Sequence, residues 1–259
     1  MKKRCIITGI AGIVCACACI AFGGTLLEVD FNSLATGEID NGGPTTAQLN
    51  SATTGGSWSL SADTNYNHSI VDDGGDKALE SDYNNIAASL NTAFEITLDT
   101  AIDIDAMQSD LTITLEAHPE ATTSFHRYWR LQFMDSDGST ILFELYGYDN
   151  GILRFHTSGN TQLTTVGEWQ GNANFTWDED HARVAVIEFV LDSTGNVTSS
   201  VDVDGGTYGT TRTLANVATA ELGSIRVQTD PGSPYGQGSF INDVLIESGP
   251  LPGSVFRFR

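Results

Sequence analysis

Tyr128, Arg130 and Gln132 alternate along one segment, Glu144, Tyr146 and Tyr148 along the next, and Arg154 and His156 along a third. Tyrosine offers a flat apolar ring with a hydroxyl at its tip. Arginine, glutamine, glutamate and histidine offer polar groups in planar array. Such a set suits a polyhydroxylated ligand, whose ring faces stack and whose hydroxyls need paired donors and acceptors. The same set can also do proton chemistry. Tyr146 and His156 can move protons, while Arg130 and Gln132 can neutralise a carboxylate and so acidify the carbon beside it. The plainer alternative is a solvated sheet face, where such residues pair across strands for about 0.2–1 kcal/mol each. Trp169, in the polar segment Gly167-Glu-Trp-Gln-Gly171, is the best candidate for an exposed stacking platform. Trp58, Trp129 and Trp177 read as core.

Strands must carry this set, because only a period of two puts alternate residues on one face. Over 126–135, Trp129, Leu131 and Phe133 fall opposite the polar residues. Ile141, Phe143 and Leu145 do so over 140–148, and Leu153 and Phe155 over 152–156. The turns Asp135-Ser-Asp-Gly138 and Tyr148-Asp-Asn-Gly151 make these strands neighbours, so their like faces stack. Residues 224–229 repeat the alternation, with Arg226 and Gln228 opposite Ile225 and Val227, but the pattern alone leaves their neighbours open. Further strands are expected over 27–32, 57–62, 78–82, 93–98, 111–117, 182–192, 197–203 and 239–247. Residues 35–56 read as a loop-rich insertion, and only 84–90 and 213–221 hint at helix. Many short strands punctuated by Asp-Gly and Asn-Gly turns define an all-β sandwich or barrel.

The N-terminus carries Lys2, Lys3 and Arg4, an apolar run from Cys5 to Phe22, and small residues at its exit. That arrangement reads as a signal peptide over 1–23. An uncleaved anchor is the first alternative. Lipidation at Cys17, within Val14-Cys-Ala-Cys17, is the second. Contact with membrane is expected only through this leader or such a lipid. All four cysteines lie inside it, so the mature chain has no thiol for a disulfide, a zinc site or a nucleophile. Without the leader's cations, nine remain against 33 carboxylates, a net charge of −24. Such a field excludes nucleic acid as a partner. In a chain so poor in cations, the gathering of Arg130, Arg154 and His156 on one strand face, with Arg127 beside it, is the main pointer to function.

The segment Trp177-Asp-Glu-Asp-His181-Ala-Arg-Val184-Ala-Val186-Ile-Glu-Phe189-Val-Leu-Asp192-Ser-Thr-Gly195, leading into Val201-Asp-Val-Asp204-Gly205, resembles the central hairpin of laminin-G-like and concanavalin A-like domains. Phe240-Ile-Asn-Asp243-Val244-Leu-Ile246 resembles their last strand, and Leu27-Glu-Val-Asp30-Phe31 the first, with which the last pairs. The resemblance spans 26–248 and leaves 249–259 as a C-terminal tail. It implies a two-sheet antiparallel jelly-roll sandwich of a secreted bacterial protein. It also implies a structural Ca2+ tying first and last strands together, with Asp30 and Asp243 in the matching positions. Asp72-Asp-Gly-Gly-Asp76 is a second oxygen-rich turn. Jelly-roll lyases place Tyr, His, Arg and Gln as above, but the longer alginate-lyase motifs are absent. Glu38-Ile-Asp40 begins a glucanase-like pattern that Gly43 ends.

The expected function is a secreted or surface-attached, non-enzymatic module, binding carbohydrate or another polymer of a matrix or cell envelope. One alternative is a polysaccharide lyase acting on uronate-containing glycans. The other is a structural surface protein that self-associates.

Overall fold

The computed structural model describes residues 24–63, 66–73, 75–83, 91–119, 129–147, 153–157, 186–203, 206–229 and 237–249. In chain order the strands are β1 (Gly24–Val29), β2 (Gly37–Glu38), β3 (Thr53–Thr54), β4 (Gly56–Leu60), β5 (Tyr66–Asp73), β6 (Asp76–Tyr83), β7 (Asn91–Asp103) and β8 (Leu111–Pro119). They continue as β9 (Trp129–Asp135), β10 (Ile141–Gly147), β11 (Leu153–Thr157), β12 (Val186–Leu191), β13 (Asn196–Val203), β14 (Gly206–Thr213), β15 (Glu221–Thr229) and β16 (Gln237–Ser248). One α-helix, α1 (Thr46–Ser51), opens on a capping box in which Thr45 and Gln48 satisfy each other's backbone.

Two antiparallel sheets form. The smaller runs β11-β10-β9-β15-β7-β4, and the larger β14-β13-β12-β8-β16-β6-β5-β2, with β1 beside β16 and β3 beside β1. Hairpin neighbours alternate with sequence-distant ones, β15 lying between β7 and β9 and β16 between β6 and β8, as in a jelly roll. The expected pairing of first and last strands is present, Leu27 opposite Ile246 and Glu28 opposite Leu245. The chain is thus an all-β, two-sheet antiparallel jelly-roll sandwich.

Alternation dictates what lies between the sheets. Phe133, Phe143 and Phe155 point inward from β9, β10 and β11 and are fully buried. Phe189 of β12, in the opposite sheet, meets all three, with ring centroids 4.8, 5.4 and 5.8 Å away. At the other end Trp58 packs between Phe31 and Phe94, as a core residue should. Each such ring brings about 150–250 Å² out of water, and together they fix the register of the smaller sheet.

Several elements differ from the sequence reading. Residues 66–73 form β5, whose inward side is Tyr66, His68 and Ile70; a buried histidine hides the apolar alternation. Residues 206–213 form β14, an edge strand of glycines and threonines with no apolar stripe to see. The helical hint at 213–221 resolves into one 3-10 turn, Val217–Thr219, between two strands. The insertion at 35–56 is ordered: β2 pairs with β5, β3 with β1, and Trp58 N donates to Asn50 Oδ1 from the end of α1. Residues 1–23, 84–90 and the tail beyond Gly249 lie outside the described residues.

Candidate functional site

The face of the smaller sheet that points away from the core carries two polar rows. In the first, directly opposed residues run Ser59, Glu95, Arg226, Gln132, Glu144 and His156 across β4, β7, β15, β9, β10 and β11. In the second, Thr92, Gln228, Arg130, Tyr146 and Arg154 occupy opposed positions on β7, β15, β9, β10 and β11. The meander therefore juxtaposes Arg130, Gln132, Glu144, Tyr146, Arg154 and His156 as alternation requires. The place of 224–229 is settled too: β15 lies directly beside β9.

The first row changes character along its length. Ser59 is exposed, and Glu95 and Arg226 are 21% and 19% exposed. Gln132, Glu144 and His156 are only 2%, 1% and 7% exposed. The row's β9–β11 end is therefore no solvated sheet face. Nor does the insertion at 35–56 reach it through any strand pairing; that segment is tied to β1, β4 and β5 at the opposite edge.

Arg226 is clamped. Its Nε and Nη2 reach both Glu95 oxygens at 3.0–3.2 Å, and Nη2 also donates to the Gly138 carbonyl at 3.1 Å. Ser224 Oγ donates to the same glutamate. Such a fork holds its guanidinium in one orientation, as a positioned donor must be. Farther along, Gln132 Nε2 donates to Glu144 Oε2 at 2.9 Å, while Glu144 Oε1 has no hydrogen-bond partner. Burial pushes the Glu144 carboxyl above its ordinary 4.5, against the pull of the Gln132 bond and the Arg130 charge. The row thus contains a buried carboxyl that favours its proton, flanked by an amide, an imidazole and half-buried Arg130.

Among the predicted residues, Arg130, Gln132, Glu144 and His156 are brought together with their side chains described. Tyr146 and Arg154 are described only as backbone positions, where both oppose each other in register. Tyr128, Tyr148 and Trp169 lie outside the described residues. Sequence reasoning missed Glu95 and Ser59. Their outward position was readable from the alternation with Phe94 and Ile96 and with Trp58, but their neighbours depend on the sheet order.

The expected metal pair is divided in role. Asp30 is exposed and caps the 3-10 turn Phe31–Ser33, accepting from Ser33 N. Asp243 opposes Glu116 in register. Among the described residues no three His, Cys, Asp or Glu side chains gather closely enough to hold a metal. Asp72 caps its own hairpin through Gly75 N. Burial, with Glu28 and Asp76 nearby, raises the Asp243 carboxyl above its ordinary 3.8; burial and Asp243 itself do the same to Glu116. Both folded-state values exceed the unfolded ones, so stability falls as pH rises through that window. Asp243→Asn accordingly raises Tm at pH 7, by at most about 2–4 °C, since solvent screens the cluster to roughly 1 kcal/mol. Scanning calorimetry shows the gain vanishing below pH 3.8, the ordinary aspartate value.

A jelly-roll sandwich bearing a graded polar row on its smaller sheet is the class defined by fold and site together. The sequence matches no family model and no curated protein. Among solved structures, alginate lyase Aly36B superposes with a TM-score of 0.55 at 11% identity, over 90% of this chain and 99% of that one. The carbohydrate esterase vb_24B_21 from Shiga toxin-encoding bacteriophage phi24B gives 0.52 at 12% identity, over 87% and 100%. At such identities these likenesses establish the shared fold alone.

Proposed function

We propose that the protein is an exported carbohydrate-binding module that holds a glycan on the accessible part of the outward face of its smaller sheet, from Ser59 across Glu95 and Arg226 to Gln228 and Arg130. The leader over 1–23 is removed on export, and the sandwich of 26–248 works outside the cell, free or held at its surface. The observation that carries the reading is the solvent-reached, in-register run Ser59–Glu95–Arg226, in which Arg226 is locked by Glu95 and polar groups replace apolar ones on every strand. A glycan needs spaced, oriented donors and acceptors along a line, and a row of opposed residues about 5 Å apart supplies them. The names of the two structural neighbours, a lyase and an esterase of carbohydrate, fit this reading.

Arg226→Gln weakens glycan binding by roughly tenfold or more, the loss expected on removing a charged hydrogen-bond donor. A glycan array followed by calorimetry on the best ligand measures it. If the folded protein binds no glycan, or Arg226→Gln binds as tightly as the parent, the reading is wrong.

A second reading, a polysaccharide lyase, is favoured by one feature. Tyr146 stands in register between Arg130 and Arg154, one alternation from Glu144 and its neighbour His156. Proton abstraction beside a uronate carboxylate needs a base and neutralising partners of this kind. Ultraviolet absorbance from a new carbon–carbon double bond, formed on uronate glycans and lost in Tyr146→Phe, distinguishes a lyase from a binding module.

A further inference from the structure

The exposed end of the polar row opens into a cleft that none of the foregoing uses. It lies at the sandwich edge, where β4 closes the smaller sheet and β5 and β2 close the larger. Its volume is about 440 Å³, within the roughly 300–1,000 Å³ typical of small-ligand sites. Ser59 belongs both to the row and to the cleft wall.

The lining is built rather than incidental. Glu38, Asp40, Ser59 and Asn67 line it, together with the buried Tyr66 and His68. Tyr66 and His68 are 7% and 8% exposed, and their rings stack in parallel at 5.7 Å. His68 Nδ1 is fixed by Ser81 Oγ at 2.8 Å, and Nε2 makes no hydrogen bond. Burial lowers the imidazole below its ordinary 6.5, against a smaller opposing effect of the Ser61 backbone, so the ring is neutral at pH 7. Asp40 holds a left-handed backbone, φ 61°, secured by Thr46 N and Oγ1 on its two carboxylate oxygens at 3.0 and 2.6 Å. Glu38 Oε2 accepts from Asn41 Nδ2 at 2.6 Å, and Oε1 carries no hydrogen bond. Among the described residues no lysine or arginine lines the cleft.

We infer that this cleft, formed by Glu38, Asp40, Ser59, Asn67 and the Tyr66–His68 stack, is a terminal subsite that takes one sugar unit lacking a carboxylate, an amino sugar being preferred. The inference rests on the glycan-binding reading, since the unit reaches the cleft from the row through Ser59. At about 440 Å³ the cleft has room for a sugar ring. The two carboxylates accept hydroxyls or an ammonium and repel a uronate. Serine and asparagine supply matching donors. The acidic walls and the Arg226-centred row thus ask different things of one chain, a bare or aminated end and a hydroxyl-rich body.

Saturation-transfer NMR and calorimetry on the mature exported chain, with glucosamine, glucose and glucuronate as probes, test the inference. Glucosamine binds about two- to fivefold tighter than glucose, the gain a solvent-facing ion pair gives, and glucuronate binds weakest. Asn67→Trp fills the cleft from an exposed position and abolishes the binding, with Tm unchanged; Ser59→Phe repeats the block if that variant folds poorly. Tightest binding of glucuronate overturns the inference. So does monosaccharide binding that survives both blocks; if Arg226→Gln then removes it, the sugar sits on the row and only the subsite is lost. A folded protein that binds neither monosaccharides nor any arrayed glycan overturns the subsite and the glycan-binding reading together.

Discussion

Gly55→Ala destabilises the fold by about 3 kcal/mol or more, and lowers Tm by roughly 6–12 °C in a domain of this size. Gly55 joins β3 to β4, where the chain leaves the larger sheet for the smaller. Its φ is +80°, and a Cβ there would stand 1.8 Å from the Leu26 carbonyl oxygen and 2.9 Å from its carbon. Leu26 itself sits at the register shift of β1 against β16. The obstacle is backbone held by strand pairing, so no side-chain rotation relieves it. Gly138 supplies the control. Its φ is +70° and a Cβ there meets nothing within 4 Å, so Gly138→Ala carries only the left-handed conformational cost of roughly 1–2 kcal/mol. Equal losses for the two variants in thermal melts contradict a clash at Leu26.

That crossover marks the boundary of what the sequence makes legible. The meander was readable because Phe133, Phe143 and Phe155 alternate strictly with Gln132, Glu144 and His156, and Gly138 fits the tight turn joining β9 to β10. The pairing of β1 with β16 rested on the resemblance alone. The order of strands is set by which distant faces bury each other, and local pattern does not encode it. Glu95 is the clearest case. Its outward position followed from its neighbours, but its partnership with Arg226, 131 residues away, needed β15 to fall between β7 and β9. The burial of Glu144 was likewise invisible, because alternation tells which face a residue joins and not whether water reaches that face. The cleft escaped for a further reason: its walls come from 38–40, 59 and 66–68, the first read as a loop-rich insertion, the second as part of a strand, and the third assigned to no element.

Glu144→Gln raises stability at pH 8 by about 1–3 kcal/mol, the cost of a buried polar group without its full complement of bonds. Gln132 Nε2 satisfies one carboxyl oxygen, and Oε1 has no hydrogen-bond partner. Among the described side chains, the groups nearest the carboxyl in register and charge are Gln132, His156 and Arg130. Its folded-state proton affinity exceeds that of the unfolded chain, whose carboxyl titrates at its ordinary 4.5. Between those two values the folded state holds a proton that the unfolded state has released, so stability falls as pH rises, and the full cost is present above the window. The glutamine variant escapes that cost, and its advantage shrinks as pH falls and is gone below 4.5, the ordinary glutamate value. Denaturant melts of both proteins across this range measure the difference. A variant less stable than the parent at pH 8 would mean that Arg130 binds the ionised carboxylate in the fold and offsets its burial. If the stabilised variant also binds glycan more weakly, the buried Glu144 costs stability and serves the ligand indirectly, by positioning Gln132 and Arg130. Such opposition between fold and function is expected where a sheet face is built to bind rather than to pack.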